Sequence, residues 1–285
     1  MPSPRGAIIP LQKKVRVAVL GAGTIARLVL ERARQGDLPD VRFVALSGRS
    51  QASPGGALAG RFALPFVVSR ADLLAQKPDV VLEAASHEAV REHLVPLLDA
   101  GVSVIVLSAG ALVDEDLRFR AEQAAKQSGA QLYVPSGGIG GLDALKAACA
   151  AGVDQVSIQV AKPPAAWQGI PYVEALGVDL TRLAEPRTLF EGRAVDGVPH
   201  FPQNVNIAAV LSLAGIGAER TRLKVVADPG LKVNTHTIRV EGNSGRITLV
   251  LENVPSPDNP KTSWLACYSA IAALRAVSTP TRYGT

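Results

Sequence analysis

The stretch VRVAVLGAGTIARLVLERA, at residues 15–33, constrains the fold of this chain more than any other. It opens with a nearly continuous apolar run, Val15 to Leu20, which predicts a short strand buried on both faces of a parallel sheet. Gly21, Gly23 and Ala26 then fit the pattern G-x-G-x-x-G/A, and the apolar residues that follow recur at helical spacing. A glycine motif between a strand and a helix predicts a dinucleotide-binding turn.

Each position of this motif has a physical reason. Gly21 permits the tight turn, Gly23 lets the backbone approach a pyrophosphate, and Ala26 allows close packing of the helix on the strand. Thr24 and Ile25 open the helix, whose free N–H groups attract phosphates. We therefore expect these five residues to bind a dinucleotide cofactor. The alternative is a tight turn in a Rossmann-like domain that has lost its cofactor.

The residues after the second predicted strand, Val41 to Leu46, bear on which cofactor binds. NAD-binding folds usually place an Asp or Glu about 20 residues after the glycines, where it binds the ribose 2′-OH. This chain has Ser47, Arg49 and Ser50 there and no carboxylate. Arg49 is suited to bind a 2′-phosphate with help from the serine hydroxyls, so NADP is favoured over NAD. The alternative is that Arg49 is a solvated loop residue and that both cofactors are used.

Alternating strand and helix patterns continue through the first half of the chain, after a segment at 51–60 that is predicted to be a flexible connection. This alternation predicts a parallel sheet that binds its ligand beyond the carboxyl ends of the strands. Ser86 and His87 follow one such strand, and Ser108 and Ala109 follow the next. We expect these four residues to line the cofactor site, with a simple helix start as the alternative for His87.

The pattern changes at PSGGIGG, residues 135–141, because four glycines in five residues exclude the interior of a helix or strand. This segment predicts the domain junction and a second backbone-lined pocket that includes Gly138. Beyond it, strands, a hairpin and a helix from Phe201 to Ala214 predict an α+β domain.

The chain has 285 residues, 47% of them hydrophobic, which is enough for two domains. The predicted fold class is α/β, a Rossmann-type parallel sheet domain followed by an α+β domain. We place the first domain at residues 13–136 and the second at 137–261. A C-terminal helix within 262–285 is expected to pack back on the first domain.

Composition and charge exclude several classes of protein. No apolar run reaches the roughly 18 residues that a membrane span needs, and the opening MPSPRGAIIPLQ lacks the apolar stretch of a secretion signal. We therefore expect a cytoplasmic protein with no membrane partner. The net charge of +5 comes from scattered Lys and Arg without interleaved aromatic residues, which argues against nucleic acid as a partner. The four histidines have no metal-ligand spacing, so no metal site is expected.

Several longer strings are far more specific than the glycine motif. In the first half they are GAGTIA at 21, EAASHEAVREH at 83, SAGAL at 108 and VPSGGIGGLDALKAA at 134. In the second half they are AKPPAAW at 161, FPQNVNIAAVLSLAG at 201, ADPGLKVNTHTIRVEG at 227 and ENVPSPDNPKTSWLACYSAIAALR at 252. In these strings, over about Val15 to Arg275, the chain resembles the L-aspartate dehydrogenase family.

This resemblance implies a Rossmann domain and an α+β domain that carries the catalytic site and forms a homodimer. It also implies NAD(P)-linked oxidation of L-aspartate to iminoaspartate, together with the reverse reductive amination. Iminoaspartate is then hydrolysed to oxaloacetate and ammonia or passed on towards NAD biosynthesis. The chain departs from the family's NAD-preferring members, since no acid follows the second strand.

The resemblance also implies the catalytic residues. His236, in the string NTHTI, resembles the family's catalytic histidine, and a pKa near neutrality would suit it as the acid–base group. Taken alone, a strand histidine between threonines is usually a surface or satisfied core residue.

Aspartate brings two carboxylates, which need cationic or N–H donors. The candidates are Lys162, Asn204 or Asn206, and the helix-start amides near Gly140. The alternatives are a surface loop lysine at 162 and simple helix caps at the two asparagines.

Two rival functions remain open from the sequence. One is another two-domain oxidoreductase, of the homoserine or semialdehyde dehydrogenase kind. The other is a non-enzymatic regulator that binds NADP without turnover.

Overall fold

The computed structural model describes residues 13–202, 204–256, 259–281 and 283. The first half forms a six-stranded sheet in which every pair is parallel, with strand order β3-β2-β1-β4-β5-β6. Its strands are β1 (Val15–Leu20), β2 (Val41–Ser47), β3 (Phe66–Val67), β4 (Val80–Glu83), β5 (Ser103–Val106) and β6 (Leu132–Tyr133). This doubly wound order confirms the predicted Rossmann-type sheet.

Helices cover both faces of this sheet, and their ends follow the capping signals in the sequence. They are α1 (Thr24–Arg34), α2 (Gly55–Arg61), α3 (Arg70–Ala75), α4 (His87–Asp99) and α5 (Glu115–Ser128), with a 3-10 helix at Ala109–Val113. The Ser86 hydroxyl accepts a hydrogen bond from the Ala89 N–H at the start of α4, and Asp114 caps α5 in the same way. Gly129, in the left-handed conformation, ends α5.

The prediction of a flexible connection at 51–60 is wrong, because α2 occupies most of it. Leu58 and Ala59 of α2 are buried against Val19 and Leu46 of the sheet. Burial of these apolar side chains outweighs the low helix propensity of the glycines around them.

The second half forms a five-stranded mixed sheet with strand order β11-β10-β7-β9-β8. Its strands are β7 (Val153–Lys162), β8 (Arg187–Arg193), β9 (Arg222–Ala227), β10 (Asn234–Gly242) and β11 (Gly245–Asn253), and a separate pair joins β12 (Pro255–Ser256) to β13 (Asn259–Ser263). The helices are α6 (Leu142–Ala151), α7 (Pro171–Ala175), α8 (Ala194–Gly197), α9 (Asn206–Ala214) and α10 (Trp264–Ser278). Sheet and helices together confirm the predicted α+β half.

The second sheet has one covered face and one open face. Ile158 and Val160 of β7, and Ile238 and Val240 of β10, are buried in the core with residues of α6 and α9. Alternate residues of the same strands, such as Gln159 and Arg239, are exposed on the other face. Because side chains alternate along a strand, Lys162 and His236 also lie on the covered face.

Helix α9 starts later than the sequence predicts, and α10 crosses to the first sheet. Helix α9 begins at Asn206 rather than at Phe201, since Phe201, Pro202, Asn204 and Val205 are not helical. Helix α10 leaves the second half of the chain and packs on α1, burying Ala270, Ile271 and Leu274 with the first sheet.

Candidate active site

A cavity of about 480 Å³ is lined by residues of both halves of the chain. The first half contributes the turn before α1 and the segments that follow β4 and β5, and the second half contributes β7, β10 and the start of α9. Of the residues predicted for the site, Gly23, Thr24, Ile25, Ser86, His87, Ser108, Gly138, Lys162, Asn204 and His236 line this cavity. Residues far apart in sequence are therefore brought to one place.

The glycine turn has the geometry that a dinucleotide requires. Gly21 has φ +109°, and a Cβ there would lie 2.5 Å from the Ala84 carbonyl oxygen, so no other residue fits without a shift. At Gly23 a Cβ would meet no heavy atom within 4 Å. The Gly23 backbone is thus open to the cavity, and Ala26, which is fully buried, lets α1 pack closely on the sheet. This cradle fits a pyrophosphate.

Glu83, the last residue of β4, organises the edge of the first sheet. Its buried carboxylate accepts hydrogen bonds from the N–H groups of Ala85, Leu107 and Ser108 and from the Ser108 hydroxyl. Burial raises the pKa of Glu83 above its usual value, while these hydrogen bonds act in the opposite direction. Glu83 thereby fixes the positions of Ala85 and Ser108 in the cavity wall.

A second cluster joins the two halves of the chain. The Asn206 side-chain oxygen accepts a hydrogen bond from the Gly110 N–H at 3.0 Å and lies 2.8 Å from His87 Nε2. Because an amide oxygen is only an acceptor, His87 carries its proton on Nε2. Burial lowers the pKa of His87, so the imidazole is neutral at pH 7. A Cβ at Gly110 would lie 2.5 Å from the His87 ring, which makes glycine necessary there.

Lys162 is a buried residue of the second sheet and not a surface loop lysine. Its side chain is at the end of β7, and the residue is 3% exposed. Nζ donates a hydrogen bond to the Asn204 side-chain oxygen at 3.2 Å and lies 5.4 Å from the centroid of the Trp167 ring. Burial lowers the pKa of Lys162 to about 7. The ammonium is therefore half deprotonated near neutral pH.

His236 lies beside Lys162 on the covered face. Its partner on β7 is Val160, and Lys162 is two residues further along the same strand, so the two side chains are diagonal neighbours. Burial and then the charge of Lys162 lower the pKa of His236 to about 3. The prediction of a pKa near neutrality is wrong, because the sequence alone does not reveal this burial or this neighbour. His236 is thus neutral and able to accept a proton.

The asparagines near the start of α9 are not helix caps. Asn204 accepts the hydrogen bond from Lys162, Asn206 accepts those from Gly110 and His87, and α9 has no side-chain cap. The helix-start amides near Gly140 do not line the cavity, because Leu249 and Leu251 of β11 lie against this turn.

The other residues predicted for the cofactor site lie outside the cavity wall: Gly21, Ala26, Ser47, Arg49, Ser50 and Ala109. Gly21 shapes the turn, and its N–H donates to the Ser47 carbonyl oxygen at 2.8 Å. Arg49 is exposed on the loop after β2. Ala109 is fully buried in the core, so its side chain cannot meet a cofactor.

Sequence reasoning missed Glu83, Asn234 and the role of Gly110. Asn234 lines the cavity and lies two residues before His236, so the period of two along a strand would have placed both on one face. Glu83 is an acid at the end of a buried strand, a position that calls for explanation. Gly110 has no such signal, since its close neighbour Asn206 lies far away in sequence.

The described part of the chain has neither a metal-binding cluster nor a membrane-spanning helix. No group of three or more His, Cys, Asp or Glu side chains in it is placed to hold a metal ion. None of its helices combines the length and apolar character that crossing a membrane requires.

Comparison with known proteins bears on both halves of the chain. Residues 143–277 match the family model "Aspartate dehydrogenase, C-terminal", and residues 21–135 match "Homoserine dehydrogenase, NAD binding domain". L-aspartate dehydrogenase of Methanosarcina mazei is 40% identical over 271 residues, covering 95% of this chain and 100% of that relative. L-aspartate dehydrogenase 2 of Bordetella pertussis is 43% identical over 260 residues, covering 91% of this chain and 96% of that relative.

Solved structures agree with these relatives. The crystal structure of aspartate dehydrogenase from Thermotoga maritima is 29% identical, with a TM-score of 0.73, and the match covers 95% of this chain and 99% of that one. The similarity thus extends over the second sheet as well as the nucleotide-binding half. The resemblance predicted from the strings is confirmed, and the chain belongs to the aspartate dehydrogenase family.

Proposed function

We propose that this chain oxidises L-aspartate to iminoaspartate with NADP or NAD and catalyses the reverse reductive amination of oxaloacetate with ammonia. The observation that carries the proposal is the placement of His236 and Lys162 as neighbours in the cavity that the Gly23 turn also lines. A proton acceptor, a carboxylate-binding cation and a dinucleotide cradle thus share one cavity. The similarity to L-aspartate dehydrogenases supports the same activity.

The residues that would hold the cofactor lie along the edge of the first sheet. The backbone at Gly23 and the free N–H groups of Thr24 and Ile25 would bind the pyrophosphate, and Ser86, His87 and Ser108 line the cavity beyond them. When bound, the cofactor would supply an oxidised nicotinamide that accepts the hydride from the substrate Cα.

The second sheet supplies the groups that act on the substrate. Lys162 binds a carboxylate through its ammonium, and Asn204 positions Lys162 by accepting its hydrogen bond. Neutral His236 accepts a proton from the substrate ammonium, so that the nitrogen lone pair can form the C=N bond as the Cα–H bond breaks. In the hydrolysis of the imine, His236 assists the attack of water.

Absorbance at the reduced-nicotinamide band tests the activity directly. We expect L-aspartate to reduce the cofactor, while L-glutamate and L-homoserine do not, because Lys162 and His236 are diagonal neighbours on adjacent strands and so fix the spacing between a bound carboxylate and the reacting amine. Turnover of homoserine in place of aspartate would favour the rival oxidoreductase. Tight cofactor binding without turnover of any amino acid would indicate a non-enzymatic regulator.

Arg49 is predicted to set the choice between NADP and NAD. It is exposed beyond the end of β2, where no carboxylate is present to repel a 2′-phosphate. Arg49→Ala should weaken NADP binding by roughly tenfold to a hundredfold, the effect of losing a charged hydrogen bond, and leave NAD binding unchanged. Calorimetric titration with both cofactors measures this. An equal loss for the two cofactors, or no loss, contradicts the role of Arg49.

The assembly and location of the chain are also proposed. We propose a cytoplasmic homodimer formed through the second sheet, whose edge strand β11 carries Val250 with 60% of its surface exposed. We also propose domain boundaries at 13–136, 137–261 and 262–285. Light scattering should give a mass twice the 29.7 kDa of one chain.

A further inference from the structure

Lys162, Asn204 and Asn234 form one corner of the cavity, which we call the polar corner. Asn234 comes directly before Thr235, whose partner on β7 is Ala161, so the antiparallel register continued by one residue places Asn234 opposite Lys162 on the covered face of the sheet. The Asn234 side chain is 1% exposed, and neither of its amide atoms has a hydrogen-bond partner among the described residues. A buried amide is costly unless it finds a partner, so this corner is built to take a polar ligand.

The charges around the polar corner determine what that ligand is. The ionisable side chains that line the described part of the cavity are Lys162, His236, His87 and Glu88. Glu88 is exposed at the start of α4, and Asp228, which follows β9, accepts a hydrogen bond from the Gly230 N–H. The corner thus offers a cation and an amide N–H donor side by side, which is the donor set for a carboxylate.

We propose that Lys162 takes up a proton when a substrate carboxylate binds in the polar corner, and that the carboxylate offsets this new charge so that His236 can still accept a proton. This inference rests on the proposed function, since it takes the substrate to be a dicarboxylate. The proton comes from solvent, no covalent bond changes, and the carboxylate becomes the counter-ion of the new ammonium.

The direction of the effect follows from the burial of Lys162. With a pKa of about 7, Lys162 is mostly neutral at pH 8 and mostly protonated at pH 6. A bound carboxylate favours the charged form and raises the pKa of Lys162. Binding should therefore take up about a tenth of a proton at pH 6 and about nine-tenths at pH 8.

The same carboxylate acts on His236. The charge of Lys162 is the second cause that lowers the pKa of His236, after burial. Relative to a charged and unpaired Lys162, an anion paired with this lysine offsets its charge and moves the pKa of His236 upwards. The bound carboxylate thus keeps the proton that Lys162 takes up from lowering the basicity of His236.

Succinate is the probe, because it has the two carboxylates of aspartate but no amine to oxidise. Calorimetric titration of the full chain in buffers of different ionisation enthalpy, at pH 6, 7 and 8, counts the protons taken up. The titrations are made with and without saturating NADP. We expect uptake to rise with pH, and the His236 imidazole resonances in NMR to titrate at higher pH when succinate is bound.

Three variants locate the proton. Lys162→Met should lose the uptake and bind succinate at least about tenfold more weakly, whereas Lys162→Arg keeps a permanent charge and should bind without uptake. Lys126→Met, at an exposed lysine of α5, is the matched control and should behave as the unaltered chain. The circular dichroism spectrum verifies that each variant is folded.

Failure of this inference can be told apart from failure of the proposed function. Uptake below about two-tenths of a proton at pH 8, full uptake in Lys162→Met, or no binding of succinate overturns the inference. If aspartate is oxidised in the parallel assay but uptake is absent, only the inference fails. If uptake is present but no aspartate is oxidised, the proposed function fails and the carboxylate site stands.

Discussion

His236→Asn is expected to lower turnover of L-aspartate by about two to four orders of magnitude, with cofactor affinity within a few fold of the unaltered chain. An amide can hydrogen-bond in the place of the imidazole, but it cannot accept and release a proton. His236→Ala should lower turnover to a similar degree. Steady-state kinetics, with cofactor titration of the same preparations, separates loss of chemistry from loss of binding.

His200→Asn is the matched control, because this histidine is exposed, stacks on Tyr172 with ring centroids 4.2 Å apart and does not line the cavity. The turnover of His200→Asn should stay within a few fold of that of the unaltered chain. If His236→Asn kept more than about a tenth of the rate, another group would carry the proton, and Lys162 would be the first to examine.

The pH dependence of these variants distinguishes the two buried groups. The profile of kcat/KM reports the free protein, in which the pKa of Lys162 is about 7 and that of His236 about 3. Above pH 7 the free chain loses the charge of Lys162, so capture of the carboxylate should weaken. This transition near pH 7 should persist in His236→Asn and disappear in Lys162→Met. Its loss in His236→Asn would assign it to the histidine instead.

Gly23→Val is expected to weaken cofactor binding by at least about a hundredfold without unfolding the chain. The side chain would point into open space, where no heavy atom lies within 4 Å, so folding meets no obstacle. Gly23 has φ −82° and an extended backbone, which valine adopts readily. The added methyl groups would instead occupy the space in which a pyrophosphate must meet the backbone.

Calorimetric titration of Gly23→Val with NADP and NAD measures this effect, and circular dichroism verifies the fold. Gly60→Val is the matched control, because a Cβ at this α2 residue also meets open space and the residue lies outside the cavity wall. Cofactor affinity that survives in folded Gly23→Val would refute the placement of the pyrophosphate.

The first sheet was predictable because its evidence is local. The apolar run before Gly21, the caps at Ser86 and Asp114 and the glycine after α5 each act within a few residues, so the sequence alone determined the strand–helix alternation. The same argument failed at α2, where burial of Leu58 and Ala59 overrides a glycine-rich composition. The longer strings determined the family for a further reason, since they occur in both halves of the chain.

Only the tertiary structure decided how these residues act. The sequence named His236 and Lys162, but their protonation depends on burial and on the strand register that makes them neighbours. Likewise, the sequence indicated a helix cap at Asn206. In the structure its side chain contacts His87 and Gly110, which lie about a hundred residues earlier. The charge and the hydrogen bonds of a buried side chain depend on the groups around it, and those groups belong to residues distant in sequence.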